Sequence, residues 1–343
     1  MSSLFRDDPA PDDVVDRGRR SRVLPKVLIA AAVVVVLALA TVFTYAGSVD
    51  RSVETNLQQA DELPPDIPED PAGVPRPPKS SATAAAVNYV IIGSDSRTAD
   101  PGQGRSDVLM VLHLDADRRG ASLISFPRDM YVSIPGRGKN KINAAYAFGG
   151  APLTVRTLEG FLDVRMDHVV IIDFAGFIAL TDELGGVTVD NPYASVSQGY
   201  DFPVGEVTVR GEQALAYVRE RHQLPNGDLG RAERQRLVVQ AMLAKVGSRD
   251  VLLNPVKLNR FVSAATRQVT VDQDLSAAQM RKTAVSVRFK PDDIISIQAP
   301  IDGFGTSPSG QSIDKVDTDK LKELKKALRQ DAMGDYAARY PNG

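Results

Sequence analysis

Apolar positions along the chain fall into three patterns. Residues 27–46, "VLIAAAVVVVLALATVFTYA", run without a charge. At about 1.5 Å rise per residue, such a run crosses a hydrocarbon core of roughly 30 Å as a helix. Shorter continuous runs follow: "NYVIIG" (88–93), "DVLMVLHL" (107–114), "ASLISF" (121–126) and "HVVIID" (168–173). These read as strands buried on both faces. The charged "DADRRG" between the second and third predicts a turn, and hence a hairpin. The third pattern is helical. Val155, Leu158 and Leu162 share a face, as do Phe174, Phe177, Ile178 and Thr181. Asn254 caps a helix that has Pro255 at its first position, with Leu258, Phe261, Val262 and Ala265 on one face. Residues 318–330 give a last amphipathic helix. Strands mixed with helices predict an α/β sandwich, a mixed central sheet with helices on both faces.

Charge orients the long apolar run. Arg17, Arg19, Arg20, Arg22 and Lys26 precede it; Asp50, Arg51 and Glu54 follow. The basic flank belongs in the cytoplasm, which puts the rest outside. A cleaved signal peptide is the competing expectation, since "ALA" at 38–40 has a small-x-small form. The long leader and the length of the run favour an uncleaved anchor. The expected layout is a cytoplasmic tail (1–26), a transmembrane helix (27–47), a Pro-rich extracellular spacer (48–87), one domain (88–335) and a tail (336–343). The spacer is assigned on Pro64, Pro65, Pro68, Pro71, Pro75, Pro77 and Pro78.

Composition narrows the class. The 343 residues have 43% hydrophobic content and a net charge of −2. That near-neutral balance argues against a nucleic-acid binder. The absence of cysteine excludes disulfides and thiolate metal sites, and fits an extracytoplasmic bacterial protein. No P-loop, G-x-S-x-G or H-E-x-x-H pattern is present. His113, His168 and His222 are scattered, and His113 within a strand reads as a packed side chain.

Charged residues gather at the expected strand ends, where open α/β sheets place their sites. Asp95 and Arg97 follow the first strand, Arg105 and Asp107 open the second, and Arg128 and Asp129 follow the third. Ordinary turn chemistry is the plainer reading of any one of them. In "GEQALAYVRERH" (211–222), Tyr217, Arg219 and Arg221 are spaced by two, which predicts that 217–221 is extended with both arginines on one face. A helix is expected from about Gly230 to Val246. Val238, Val239, Met242 and Val246 form its apolar stripe, with Arg231 and Gln235 at the N-terminal end of the same stripe. Arg234 and Arg236 fall off the stripe and are expected to be solvated. A cation aimed at the interior needs a match. Carboxylates would supply it as a salt-bridge network, and ligand phosphates would supply it as a site. Two acids with inward arginines fit a diphosphate held with a divalent metal, Mg²⁺ or Mn²⁺, since hard carboxylate oxygens select such ions. The stretch 168–180 supplies either core or the wall of an apolar groove.

Together "GSDSR", "GRSDVLMVLHLD", "SFPRDMYVSIPG", "KINAAYAFGG", "GEQALAYVRERH" and "GDLGRAERQR" resemble the LytR-CpsA-Psr family, strongly over about 88–246 and less specifically to about 330. The resemblance implies an α/β sandwich with a lipid groove between sheet and helices. It implies a membrane-anchored phosphotransferase that moves a glycopolymer from a polyprenyl-pyrophosphate carrier to a peptidoglycan hydroxyl, leaving a phosphodiester. Carried over by motif, Asp95 and Asp107 hold the metal. Arg105, Arg128, Arg219, Arg221, Arg231 and Gln235 bind the pyrophosphate, with Lys141 as a further contact. Arg97 and Asp129 keep no assigned role, although Asp95 and Asp129 are candidates for taking the acceptor's proton. A pyrophosphate hydrolase and a non-catalytic wall-polymer or lipid-carrier binding protein are the alternatives. The abundance of Ala, Val, Arg and Asp points to a GC-rich actinobacterial host. In a mycolic-acid-bearing actinobacterium the resemblance favours arabinogalactan as the polymer, and elsewhere teichoic or capsular polymer.

Overall fold

The structure is a computed structural model that describes residues 57–66, 75–81, 83–94, 106–246 and 254–341, apart from 277–278, 280–281, 284–285 and 290–292. The expected membrane span at 27–47 lies outside these residues, as do Asp95, Arg97 and Arg105. Among the described residues no helix is long and apolar enough to cross a membrane.

In chain order the elements begin with β1 (Gln58–Ala60), β2 (Val87–Ser94), β3 (Ser106–Leu114), β4 (Ala121–Ser125), β5 (Tyr131–Ile134) and β6 (Gly138–Lys141). Next come α1 (Ala144–Leu162), β7 (His168–Asp173), α2 (Phe174–Glu183), β8 (Val187–Asn191), β9 (Ser195–Ser197), β10 (Tyr200–Phe202) and β11 (Gly205–Val209). The chain continues through α3 (Gly211–Arg219), α4 (Asp228–Val246), α5 (Pro255–Gln268), β12 (Val269–Asp272) and β13 (Ile294–Gln298). It closes with β14 (Ile301–Thr306), β15 (Ser312–Val316), α6 (Thr318–Gln330) and α7 (Met333–Arg339).

Seven strands form one mixed sheet in the order β1-β12-β7-β2-β3-β4-β13. The expected hairpin is present, with β3 and β4 antiparallel. β2 is antiparallel to β3 and parallel to β7. Because side chains alternate along a strand, each apolar run feeds two cores. Tyr89, Ile91, Met110 and Leu112 pack on one side with Leu180, Leu215, Val238 and Phe261 of α2 to α5. Val90, Ile92, Leu109 and Val111 pack on the other with Val155, Leu158, Leu324 and Tyr336 of α1, α6 and α7. That is the expected sandwich, and it explains why these strands read as unbroken apolar runs rather than alternating ones.

The Pro-rich stretch is docked where it is described. β1 pairs in parallel with β12 at the edge of the sheet. Arg76 is buried, with Nε and Nη2 donating to Glu159 Oε1 at 3.0 and 2.9 Å and Nη2 also donating to the Met166 carbonyl. An arginine among prolines looks like solvated spacer from the sequence. Glu159, the acid that seats it, lies 83 positions away.

Candidate functional site

The site forms where β2 ends. A β-bulge falls between Gly93 and Ser94. A Cβ on Gly93 would stand 2.7 Å from Val108 Cβ, so glycine is what lets the two strands stay this close. Asp107, one residue into β3, therefore emerges at the carboxyl edge of β2. It lines a cavity of about 420 Å³ between the sheet and the helices α2 to α4.

The inner wall of that cavity is apolar, with Ile91, Val108, Phe174, Phe177 and Val239 among its residues. The stretch 168–180 thus splits between the two expectations. Val169 and Val170 are core, whereas Ile172, Phe174 and Phe177 are cavity wall. At its polar end the cavity is lined by Asp107, Arg128, Arg219, Arg221, Arg231 and Gln235. Every described residue assigned to the site, apart from Lys141, meets there.

Asp228 organises the cations. Its Oδ2 accepts from Arg128 Nε at 2.6 Å and from Arg231 Nη2 at 3.1 Å, and its Oδ1 lies 3.6 Å from Arg221 Nη1. One carboxylate therefore serves three guanidinium groups. Arg128 also reaches Asp107 Oδ1 at 3.2 Å and comes within 3.9 Å of Asp129 Oδ2. Burial on its own would lower the Arg128 pKa, but Asp228, Asp129 and Asp107 outweigh it and hold the pKa up. At Arg231 burial wins over Asp228 and the pKa is lowered. Lys141 stands one step out, with Nζ 2.9 Å from Asp129 Oδ1. Gln235 donates from Nε2 to the Val218 carbonyl at 3.3 Å.

Three expectations are corrected. Residues 217–219 are helical, not extended: α3 runs through Arg219, and only Glu220 turns to extended backbone (φ −63°, ψ 133°). Spacing by two across a helix terminus is not strand alternation. The arginines still share the cavity because the chain leaves the helix between them. Glu220 fixes that exit by accepting from the backbone N–H groups of His222 and Gln223 at 2.6 and 3.0 Å. Burial would raise its pKa, but these backbone bonds and a side-chain bond with Ser197 leave it lowered, so it stays ionised. Arg219, exposed, lies with its Cζ 4.8 Å from the centre of the Phe174 ring.

Arg234 is fully buried rather than solvated. Its Nη2 donates to Asn191 Oδ1 at 3.0 Å and to the Tyr193 carbonyl at 2.6 Å, and its Cζ lies 4.4 Å from the Tyr217 ring centre. Arg236 is half-buried and donates to Ser125 Oγ at 2.9 Å. A single stripe describes a helix with one packed face. α4 is covered on further sides, by β8, β4 and β13.

Sequence reasoning assigned no role to Asp228, Glu220 or Asp314. A signal existed for Asp228, an acid in the first turn of a helix, three positions before Arg231. None existed for Asp314. It lies on β15, where its backbone N–H donates to the Asp129 carbonyl at 2.9 Å. Burial, with Asp129 and Asp228 nearby, pushes its carboxyl up to about 6. Its buried Oδ2 has no hydrogen-bond partner among the described residues.

Comparison with known proteins places this geometry. The sequence model of the LytR_cpsA_psr family matches residues 48–330. The chain belongs to the LytR_cpsA_psr family. It is 37% identical over 246 residues to the polyisoprenyl-teichoic acid–peptidoglycan teichoic acid transferase TagU of Enterococcus faecalis, covering 71% of this chain and 78% of that protein. With TagU of Bacillus subtilis it is 43% identical over 159 residues, 46% of this chain and 51% of the relative. The match thus spans about half the length of the Bacillus protein. Among solved structures, B. subtilis TagV superposes with a TM-score of 0.61 at 29% identity, over 72% of this chain and 97% of that one. TagT bound to LIIa-WTA does so with a TM-score of 0.58 at 29% identity, over 76% and 96%. Family membership, expected from six motifs, therefore holds for most of the chain.

Proposed function

We propose that this protein is a phosphotransferase that moves a glycopolymer from a polyprenyl-diphosphate carrier to a peptidoglycan hydroxyl. The observation that carries the reading is an apolar cavity that ends in arginines sharing one carboxylate. Such a cavity suits a lipid with an anionic head. Its relative TagU is named as a polyisoprenyl-teichoic acid–peptidoglycan teichoic acid transferase, and its relative TagT has been solved bound to LIIa-WTA.

The prenyl chain lies along the Phe174–Phe177 wall. The diphosphate meets Arg128, Arg221 and Arg231, which exchange their share of Asp228 for phosphate oxygens. Arg219, held over Phe174, adds a further donor. The acceptor hydroxyl attacks the sugar-linked phosphorus, a carboxylate at the polar end takes its proton, and polyprenyl phosphate leaves. Fixed guanidinium groups stabilise the charge that builds on the departing phosphate.

Asp107 fits a divalent cation. Its carboxylate lines the cavity, is only partly buried, and presents hard oxygen ligands. With Asp95 it would hold Mg²⁺ or Mn²⁺, which would neutralise diphosphate charge. Membrane anchoring through 27–47, with the domain outside, belongs to the same proposal and supplies the carrier lipid from the bilayer. Protease added to wall-stripped cells should then digest the domain.

The deciding experiment supplies a polyprenyl-diphosphate glycopolymer with and without peptidoglycan fragments. Transfer predicts polymer linked to peptidoglycan through phosphodiester, with polyprenyl phosphate released only when acceptor is present. Release of equal size without acceptor would make the protein a hydrolase. Binding without any release would make it a carrier protein.

A further inference from the structure

His113, Asp115 and Asp331 converge at the end of the sheet opposite the cavity, and we infer that they form a binding site for a divalent d-block cation of the zinc type. Nε2 of His113 lies 2.9 Å from Asp331 Oδ1 and 3.6 Å from Asp115 Oδ1. All three ligand atoms lie within 4.8 Å of one another. Two ligands about 2.0–2.1 Å from a tetrahedral zinc stand about 3.3 Å apart. The two measured separations bracket that value.

The hydrogen bonding of the imidazole dictates what faces the acids. Asn88 Nδ2 donates to the Arg165 carbonyl at 2.7 Å, which turns Asn88 Oδ1 toward His113. Nδ1 of His113 is 2.7 Å from that oxygen and must carry the proton. In the neutral ring Nε2 is then a bare lone pair, pointing at two carboxylates from a side chain 1% exposed. A positive charge at Nε2, either a proton shared with Asp331 or a bound metal ion, resolves that contact. An oxygen acceptor that fixes the tautomer and ring orientation is also how protein metal sites orient their histidines.

The carboxylates are held in place independently. Asp331 is the left-handed C-cap of α6 (φ 52°), and its Oδ2 accepts from the Ala116 backbone N–H at 2.7 Å. Asp115 leaves β3 beside Gly120, where a Cβ would lie 2.4 Å from Asp115 Oδ2. Arg118 is the nearby cation, and its Nη1 is engaged by the Asp115 carbonyl. It sets one guanidinium against the two carboxylates that face the imidazole. A bound ion would tie β3 and its following turn to the end of α6, and so fasten the C-terminal helices to the sheet. Imidazole with carboxylate selects zinc-like ions over Mg²⁺.

The test is calorimetric titration of the full chain with Zn²⁺ in excess Mg²⁺, which fills oxygen-only sites. One saturable Zn²⁺ per chain is expected, with a rise in melting temperature that chelator reverses. Asp115→Asn, which keeps shape in a turn, should weaken binding by about 10-fold or more and lose the thermal shift. Asp331→Asn should do the same. Asp107→Asn should keep both, which separates this site from the one proposed for the diphosphate. No saturable Zn²⁺ binding, or unchanged binding in Asp115→Asn, would overturn the inference and leave a proton bridging His113 and Asp331.

Discussion

Arginines meet two different fates in this molecule. Arg76, far from the cavity, has Glu159 to itself and two backbone carbonyls besides. Arg128, Arg221 and Arg231 divide Asp228 among them, although Arg128 also borrows from Asp107. Both groups are charged side chains drawn toward the interior, where an unmatched charge is costly. The difference lies in supply. The first has as much counter-charge and as many acceptors as it needs, and is finished. The second shares its carboxylates at the edge of a cavity, where the proposed function brings in diphosphate oxygens.

The comparison breaks most sharply at Arg76. Arg76→Ala should cost about 3–5 kcal/mol of stability, because Glu159 is left buried and unpaired. Chemical denaturation measures it; a cost below about 1 kcal/mol, the scale of surface pairs, would mean the pair does not anchor 75–81. At the cavity the balance reverses. Arg221→Ala and Arg219→Ala should each lower transfer by about 10²–10³, as for a lost transition-state charge stabiliser. Their melting temperatures should stay close to wild type. A large thermal loss without kinetic loss would place them with Arg76.

Arg234 sharpens the contrast from inside the same helix. It carries no ligand-facing role, so Arg234→Met should cost about 1–3 kcal/mol through two lost charge-assisted hydrogen bonds, to Asn191 Oδ1 and the Tyr193 carbonyl. Activity per folded molecule should be unchanged. Asp107→Asn tests the proposed metal. Affinity for Mg²⁺ should fall by about 10-fold or more, with activity partly restored by added Mg²⁺. If Asp107 serves only to pair Arg128, stability falls instead and Mg²⁺ restores nothing.

The smallest effect is expected at Asp314. Its folded pKa of about 6 stands above the ordinary 3.8, so the folded chain binds this proton more tightly than the unfolded one. Its contribution is greatest below about pH 4 and is lost as pH rises toward 6. Asp314→Asn should therefore melt about 2–4 °C higher than wild type at pH 7.5, the shift of a 1 kcal/mol change. The gap should close as pH falls to 4. A variant that melts lower at pH 7.5 would mean the carboxylate is matched after all.

Much of this was legible in the chain itself. Continuous apolar runs named β2, β3, β4 and β7, because strands covered on both faces have no polar side to display. The α4 stripe placed Arg231 and Gln235 at the cavity, since helical period fixes which side chains share a face. Six ordered motifs were enough to name the family. By contrast, Arg234 was misjudged because one amphipathic stripe says nothing of a helix packed on several sides. The backbone at 217–219 was misjudged because three residues of alternation cannot reveal a helix terminus.

Sequence alone determined β2, β3, β4 and β7, the helical faces of α1, α2, α4, α5 and α6, and which end of the sheet collects cations, because these follow from local period and chain order. The tertiary structure decided which charge each arginine meets. Asp228 lies 100 positions from Arg128, Glu159 lies 83 from Arg76, and His113 meets Asp331 across 218. Coulomb energy depends on separation in space and on local dielectric, and neither is written in the order of residues.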